Sequence, residues 1–252
     1  MATKIEWVQN EDGSRGKTWN PITGCSKISS GCKYCYAERM AKRLAGKYGY
    51  PSADPFKVTL HYDRLDQPFY WKKPLMIFLC SMSDYFHEDV PEAYIFRILE
   101  VMRKCPQHTF QVLTKRSERM LQISEKIKHW PENVWLGVTV ETKENKDRIK
   151  NLRQINASVK FLSCEPLLGN LGSINLKGIN WAIVGGESGP GARPMCLEWV
   201  TNIRDRCLDR GVPFFFKQWG GVNKKVLGRN LEGREWNQMP NIRLTGRKCL
   251  FQ

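Results

Sequence analysis

Residues 75–80 read LMIFLC, a run of six apolar residues. Nearly continuous apolar runs follow at 110–113 (FQVL), 134–138 (VWLGV), 181–184 (WAIV) and 214–216 (FFF). A strand that is apolar on both faces is typical of a parallel sheet that is covered by helices. Because segments of helical periodicity separate these runs, the sequence predicts an α/β protein built on a parallel sheet.

The number of strand candidates favours a particular architecture. About eight of them alternate with helices, which predicts a (β/α) TIM-type barrel, complete or partial, with an open doubly wound sheet as the alternative. After an extended stretch at 18–24, strands are predicted at 56–60, 75–80, 109–113, 134–140, 159–164, 181–184 and 213–217, and helices at 36–47, 91–104, 117–128, 142–153 and 197–209.

Composition excludes some classes of protein and favours others. The 252 residues carry 40 Lys and Arg against 25 Asp and Glu, a formal net charge of +15, and 41% of them are hydrophobic, which excludes disorder for the bulk of the chain. Without a long apolar run or a secretory leader, a cytoplasmic protein with no membrane segment is expected. The charge favours nucleic acid as a partner, and a basic enzyme whose charge only aids solubility is the alternative.

The character of the chain changes after Gly221. We therefore predict a barrel domain at 1–221 and a basic C-terminal extension at 222–252, packed on or beside the barrel, with a solvated appendage as the alternative. The extension has seven basic residues against two acidic ones, a net +5. The basic residues are Lys224, Lys225, Arg229, Arg234, Arg243, Arg247 and Lys248.

Three of the nine cysteines form a cluster. Cys25, Cys32 and Cys35 are separated by six and by two residues, whereas the other cysteines are scattered. Three thiolates on one loop suit a [4Fe–4S] cluster with one iron left open to a further ligand. Zinc would need a fourth, distant ligand, since the nearest histidine is His61, and plain thiols are the third interpretation.

The cysteine segment also carries a family resemblance. TWNPITGCSKISSGCKYCYAERMA (18–41) closely resembles the phage-associated three-cysteine-motif family of unknown function, and so do GGESGPGARPM (185–195) and FFFKQWGG (214–221). That family is regarded as a relative of the radical SAM enzymes, although the first gap here has six residues where that superfamily usually has three. The resemblance implies two cofactors, a [4Fe–4S] cluster on the three cysteines and S-adenosylmethionine (SAM).

A second, weaker resemblance concerns four short motifs. SMSD (81–84), LTKR (113–116), GVTVE (137–141) and SCEPLLG (163–169) are similar in their order to the strand-end motifs of spore photoproduct lyase-like enzymes, which use SAM to repair a thymine lesion in DNA. Chemistry in parallel barrels gathers at the carboxyl ends of the strands, where all four motifs fall.

These resemblances imply roles for polar residues at the strand ends. Each role has a structural alternative, such as a helix cap for the residues of SMSD or a packed aromatic ring for Tyr34. The implied SAM contacts are Tyr34 with the adenine; Ser81, Ser83 and Asp84 with the ammonium; Lys115 with the carboxylate; Thr139 and Glu141 with the ribose; and Glu165 with the adenine or the substrate.

Other residues are candidates for the substrate side. Cys164 is a candidate for returning a hydrogen atom to a substrate radical, and Glu187, in a glycine-rich turn, for a SAM or substrate contact; a buried thiol and a tight turn are the alternatives. Candidates for a nucleic-acid contact are Arg116, Lys217, Gln218 and Trp219.

The function expected from the sequence is a radical SAM-like enzyme that modifies or repairs a nucleic acid or nucleotide. It would use the cluster and SAM, and an electron donor protein would be its partner. A non-catalytic nucleic-acid-binding protein stabilised by a metal is the alternative from another class. A metal-assisted hydrolase ranks last because the chain lacks a histidine-rich ligand set.

Overall fold

The computed structural model describes residues 3–241. Seven parallel strands form one sheet in the order β1-β4-β5-β6-β7-β8-β9, and β2 and β3 pair antiparallel apart from it. The strands are β1 Lys17–Trp19, β2 Ile22–Thr23, β3 Thr59–Leu60, β4 Met76–Leu79, β5 Thr109–Thr114, β6 Val134–Thr139, β7 Val159–Cys164, β8 Trp181–Gly185 and β9 Phe214–Gln218.

α-Helices lie in the connections between most successive strands of the sheet, whereas residues 165–180, between β7 and β8, contain none. No helix among residues 3–241 is long and apolar enough to cross a membrane. The α-helices are α1 Tyr36–Arg43, α2 Glu92–Lys104, α3 Ser117–Glu125, α4 Asp147–Gln154, α5 Leu197–Asp209 and α6 Lys224–Leu227, and short 3-10 turns lie at Ser30–Cys32, Tyr62–Arg64, Gln67–Tyr70 and Lys143–Asn145.

The prediction of a TIM-type barrel is wrong. The sheet is a curled half-barrel that stays open, with β1 and β9 as its edges within the described residues. One reason is that the strand expected at 56–60 does not join the sheet: only Thr59–Leu60 is extended, and it pairs with Ile22–Thr23. Seven strands remain for a closure that takes eight in the TIM barrel.

The two faces of the sheet bury different sets of side chains. Alternate residues of each strand point to opposite faces. Ile77, Val112 and Leu136 belong to the large core shared with the helices. Phe78 and Trp135 belong to a second cluster on the concave face. The continuous apolar runs therefore reflect a sheet that is covered on both faces.

The N-terminal segment fills the concave side of the half-barrel. Trp7 is buried there, with its ring 4.9 Å from that of Phe78 and 6.1 Å from that of Trp181. Trp181 in turn packs edge-on against Trp135 and Phe215. Large aromatic rings thus occupy the volume that a closed barrel fills with layers of branched side chains.

The described part of the C-terminal extension returns to the sheet. Phe216 N–H donates to the Trp236 carbonyl (2.9 Å), and Trp181 Nε1 donates to the Gln238 carbonyl (2.8 Å). Leu231 and Trp236 are buried in the core shared with the helices. Arg243, Arg247 and Lys248, part of the predicted basic extension, lie outside the described residues.

A buried amide on the concave face yields a first prediction. Gln111 is fully buried beside Trp135, and neither its Nε2 nor its Oε1 has a hydrogen-bond partner among the described residues. Buried polar atoms without partners are destabilising. We expect Gln111→Met to raise the free energy of unfolding by about 1 kcal/mol in urea titrations. Gln154→Met, at an exposed position of α4, should change it by less than about 0.5 kcal/mol. A less stable Gln111→Met would contradict this account.

Candidate functional site

A cavity of about 660 Å³ lies at the carboxyl edge of the sheet. Residues within two positions of the strand ends line it, among them Ser81 after β4, Lys115 after β5 and Glu165 after β7. The loop that carries the cysteines covers one side of the cavity, and the segment 186–189 forms another part of its wall. The geometry of parallel strands explains this convergence, because their carboxyl ends meet at one edge.

The cysteine loop begins at a glycine that no other residue could replace without strain. Gly24 has a φ of +82°, and a Cβ there would lie 2.1 Å from the Lys57 carbonyl oxygen. Its N–H donates to the Met82 carbonyl (3.0 Å), which ties the loop to the end of β4. From this anchor the loop brings three free thiols to the cavity wall, those of Cys25, Cys32 and Cys35.

Arg116 holds the first cysteine. Its Nη1 donates to Cys25 Sγ (3.5 Å) and to Asp84 Oδ2 (3.3 Å), and its Nη2 donates to the hydroxyl (2.9 Å) and carbonyl (3.2 Å) oxygens of Ser26. Its Nε donates to Glu88 Oε2 (2.7 Å). Burial, together with the charge of Asp84, raises the pKa of the Cys25 thiol to about 11, although Arg116 opposes that shift.

Glu141 holds the segment around the second cysteine. Ser29 Oγ donates to Glu141 Oε1 (2.6 Å), and the same carboxylate binds Arg148 Nη1 (2.6 Å) and Lys115 Nζ (3.3 Å). Burial opposes ionisation of Glu141, but the two cations and Ser29 outweigh it and lower its pKa. Burial would raise the pKa of the Cys32 thiol, but a backbone hydrogen bond at Ile28 and the charge of Lys115 outweigh burial, so that pKa is lowered.

The glycine-rich segment after β8 closes over the cysteine loop. Glu187 forms a bidentate ion pair with Arg193, through Nη2 to Oε1 (2.6 Å) and Nε to Oε2 (2.8 Å). Arg193 Nη2 also donates to the Ser30 carbonyl (2.9 Å), and its guanidinium lies 5.5 Å from the Tyr34 ring centre. The hydrogen bonds from Arg193 outweigh burial and lower the pKa of Glu187, which keeps this carboxylate ionised.

A second polar group lies at the part of the cavity formed by β7 and β9. Lys217 Nζ is 3.1 Å from Glu165 Oε1, while Glu165 Oε2 accepts hydrogen bonds from Trp7 Nε1 (3.1 Å) and Ser163 Oγ (3.4 Å). Burial would lower the pKa of Lys217, but the carboxylates of Glu165 and Glu6 outweigh it and raise that pKa. Lys217 is therefore a cation at neutral pH.

Most of the residues singled out from the sequence meet at this cavity. Some of them already have protein partners. At Asp84, for example, one carboxylate oxygen accepts a hydrogen bond from Thr114 Oγ1 (2.7 Å) and the other from the Lys115 N–H (3.0 Å). The predicted residues that line the cavity are Cys25, Cys32, Cys35, Tyr34, Ser81, Ser83, Asp84, Lys115, Arg116, Thr139, Glu165, Glu187, Lys217 and Gln218.

Three predicted residues lie elsewhere. Cys164 points to the face covered by helices, because its neighbours Ser163 and Glu165 point to the cavity and successive residues of a strand alternate. Burial on that face raises the pKa of the Cys164 thiol well above its usual value. Glu141 is fully buried beneath the cysteine loop and is not part of the cavity wall. Trp219 packs on Phe216 with its Nε1 bonded to a backbone carbonyl, and it is also absent from that wall.

Arg116, for which the sequence predicts a nucleic-acid contact, lines the cavity but is largely buried. Its side chain is 3% exposed, and its guanidinium is engaged by Asp84, Glu88, Ser26 and Cys25. A buried cation between two carboxylates and a cysteine sulfur holds the loop together. Its guanidinium nitrogens already donate to these protein groups.

The side chains can be compared with the metal groups proposed from the sequence. Among residues 3–241, no three His, Cys, Asp or Glu side chains converge on a point where a single ion could be held. This arrangement does not fit a zinc ion with three or four ligands from that range. The three cysteines nevertheless share one cavity wall, and a cluster needs each thiol at a different iron rather than at a common point. Thiols are the donor type that holds iron–sulfur clusters.

Sequence reasoning missed several residues of the site. Trp7 lies in an N-terminal stretch without periodicity, so no signal placed it under Glu165. Ser163 could have been found, because it lies two residues before Glu165 and shares its face of the strand. Arg193 lies within the glycine-rich motif, but its pairing with Glu187 depends on how that turn folds.

Comparison with known proteins adds one finding. A family model described as a protein of unknown function (DUF5131) matches residues 2–240. The chain belongs to this family. The match extends across the boundary predicted at 221. No curated protein and no solved structure matches the chain.

Proposed function

We propose that this chain is a radical SAM-like iron–sulfur enzyme. It would cleave SAM reductively at a [4Fe–4S] cluster and abstract hydrogen from a nucleic acid or nucleotide. One observation carries the proposal: the thiols of Cys25, Cys32 and Cys35 face a single cavity of about 660 Å³ that the predicted polar residues also line. A cavity of this size is in the range of small-molecule and cofactor sites.

The cysteine loop supplies the ligands for the cluster. Cys25, Cys32 and Cys35 would each bind one iron, and the anchors at Arg116 and Glu141 keep the loop against the sheet. When bound, the cluster would supply the electron, delivered by an electron donor protein, that breaks a carbon–sulfur bond of SAM. Arg116 also directs positive charge at the Cys25 sulfur, which opposes the rise of its pKa on burial and would stabilise the thiolate once iron is bound.

Polar groups on the cavity wall suit the charged and polar parts of SAM. Lys115 would attract the carboxylate, and Ser81, Ser83 and Thr139 offer hydroxyl oxygens to ammonium and ribose groups. Tyr34 offers a ring to the adenine. The roles of two carboxylates are indirect here, because Glu141 positions Lys115, and Asp84 positions Arg116.

The remaining part of the cavity would take the substrate. Lys217, Glu165 and Gln218 provide hydrogen-bonding groups there, while Ile5, Trp7, Phe78 and Leu113 form apolar walls that exclude water. The net charge of +15 supports a polyanionic substrate.

The test is anaerobic reconstitution of the full chain with iron and sulfide. We expect about four irons per chain, a brown protein, and 5′-deoxyadenosine on addition of SAM and dithionite. Cys25→Ser, Cys32→Ser and Cys35→Ser should each lose the iron and the 5′-deoxyadenosine. Cys196→Ser, which changes an exposed cysteine, should keep both.

A colourless protein with one tightly bound zinc would refute the proposal. So would a cluster that survives when all three cysteines of the loop are replaced. If the colourless zinc protein still bound nucleic acid, the function would instead be that of a metal-stabilised nucleic-acid-binding protein without catalysis.

A further inference from the structure

Helix α1 connects the cavity with the outer surface of the protein. It begins at Tyr36, directly after the third cysteine, and Tyr36 and Arg39 line the cavity. Ala37 and Ala41 are buried on its inner face, whereas Tyr36 (53%) and Met40 (41%) are exposed on the outer one. The outer face therefore starts at the cavity and extends away from it.

The outer face carries three cations that have no acidic partner within the described part of the chain. Arg39, Arg43 and Lys47 form no ion pair with any side chain that the structure describes, although Arg39 donates to the Ser188 carbonyl (3.3 Å). They are spaced four residues apart, the last one in the turn after the helix, where Lys47 N–H donates to the Leu44 carbonyl (2.9 Å). Lys42, by contrast, is neutralised by Glu38 (2.9 Å).

The surroundings of the helix add to this positive charge. Residues 27–57 contain seven Lys and Arg against two acidic residues, a net +5. Tyr48, which follows Lys47, is exposed, so aromatic rings lie at both ends of the row of cations. Cations that track phosphates, together with exposed rings on which bases stack, are characteristic of surfaces that bind single-stranded nucleic acid.

We propose that the surface formed by Tyr36, Arg39, Met40, Arg43, Lys47 and Tyr48, the α1 surface, binds single-stranded nucleic acid and leads it into the cavity. The cavity volume of about 660 Å³ admits a nucleotide but not a duplex, which favours a single strand. The choice of nucleic acid as the class of substrate rests on the proposed function; the binding itself requires no radical chemistry.

The experiment measures the binding of a labelled oligonucleotide of about 12 nucleotides, as single-stranded DNA, single-stranded RNA and duplex DNA, to the full chain across a salt series. Arg43→Gln combined with Lys47→Gln should weaken binding of the single strand and reduce the slope of log K against log salt by about 1.4, the value for two phosphate contacts on a single strand. Tyr36→Ala should weaken binding about tenfold with little change in slope, and Tyr36→Phe should bind as the native chain does.

The matched control is Arg103→Gln combined with Lys104→Gln. These residues are exposed, adjacent on α2 and both paired with Glu100, so the variant loses the same formal charge at another surface. An Arg43/Lys47 variant that behaves like this control would overturn the proposal, and equally tight binding of a duplex would overturn its restriction to single strands. Iron content and 5′-deoxyadenosine formation, measured on the same variants, report separately on the proposed enzyme activity.

Discussion

Replacement of Glu141 by Ala should lower the free energy of unfolding by about 3–5 kcal/mol. The carboxylate is fully buried and lies between Arg148 Nη1 (2.6 Å) and Lys115 Nζ (3.3 Å), so its removal leaves two cations without their partner. It also removes the acceptor for Ser29 Oγ (2.6 Å), the contact that fixes the segment before Cys32. Thermal unfolding should show a decrease in Tm of roughly 10 °C.

The control for this variant is Glu144→Ala, three residues along the chain and exposed. Its stability should stay within about 0.5 kcal/mol of the native value. Equal stability of the Glu141 and Glu144 variants would show that the buried ion pairs contribute nothing.

The dependence of stability on pH gives a second readout at Glu141. Because the pKa of Glu141 is lowered in the folded protein, its contribution is complete above the ordinary value of 4.5 and is lost as the pH falls through the lower, folded value. The native chain should therefore lose more stability than Glu141→Ala when the pH is lowered from about 6 to 3. Parallel pH profiles for the two proteins would contradict the lowered pKa.

Replacement of Trp181 by Ala should have an effect of similar size, about 3–5 kcal/mol of unfolding free energy. Its ring is fully buried on the concave face and packs against the rings of Trp7 (6.1 Å) and Trp135 (6.2 Å). Its Nε1 also donates to the Gln238 carbonyl (2.8 Å), so the C-terminal segment loses a contact with the sheet. Urea titration followed by circular dichroism measures the loss.

Two further variants serve as controls for Trp181→Ala. Trp181→Phe retains an aromatic ring and should lose clearly less stability than Trp181→Ala, which matters if the latter does not fold. Tyr70→Ala removes an aromatic ring that is 77% exposed and should change stability by less than about 0.5 kcal/mol. A small effect of Trp181→Ala would show that the concave face is not a packed core.

Much of the sheet and part of the site could be predicted from the sequence. The apolar runs at 110–113, 134–138 and 214–216 all lie in parallel strands, because a strand buried on both faces leaves a local pattern. Polar residues directly after such strands, such as Ser81 and Lys115, then meet at the cavity. The spacing of the cysteines likewise placed them in one loop.

Other features depend on contacts between distant parts of the chain. Glu141 lies two residues after the end of its strand and Lys115 one residue after, yet Glu141 is covered by Ser29 and Gly31 of the cysteine loop. Arg116 resembles an exposed phosphate ligand in the sequence but is buried between Asp84 and Cys25. Burial of a charged side chain is decided by what covers it, and the local pattern does not contain that information.

Local periodicity and spacing were enough to predict the parallel sheet, the alternation that separates its two faces and the loop with three thiols. The open sheet of the described residues, by contrast, depends on contacts between distant parts of the chain. Closure depends on whether the edge strands pair. Here Thr59–Leu60 pairs with Ile22–Thr23 outside the sheet, and Trp7 and other aromatic rings fill the concave side. Strand pairing and side-chain packing of this kind join residues that are far apart in the chain, so they cannot be predicted from a local sequence pattern.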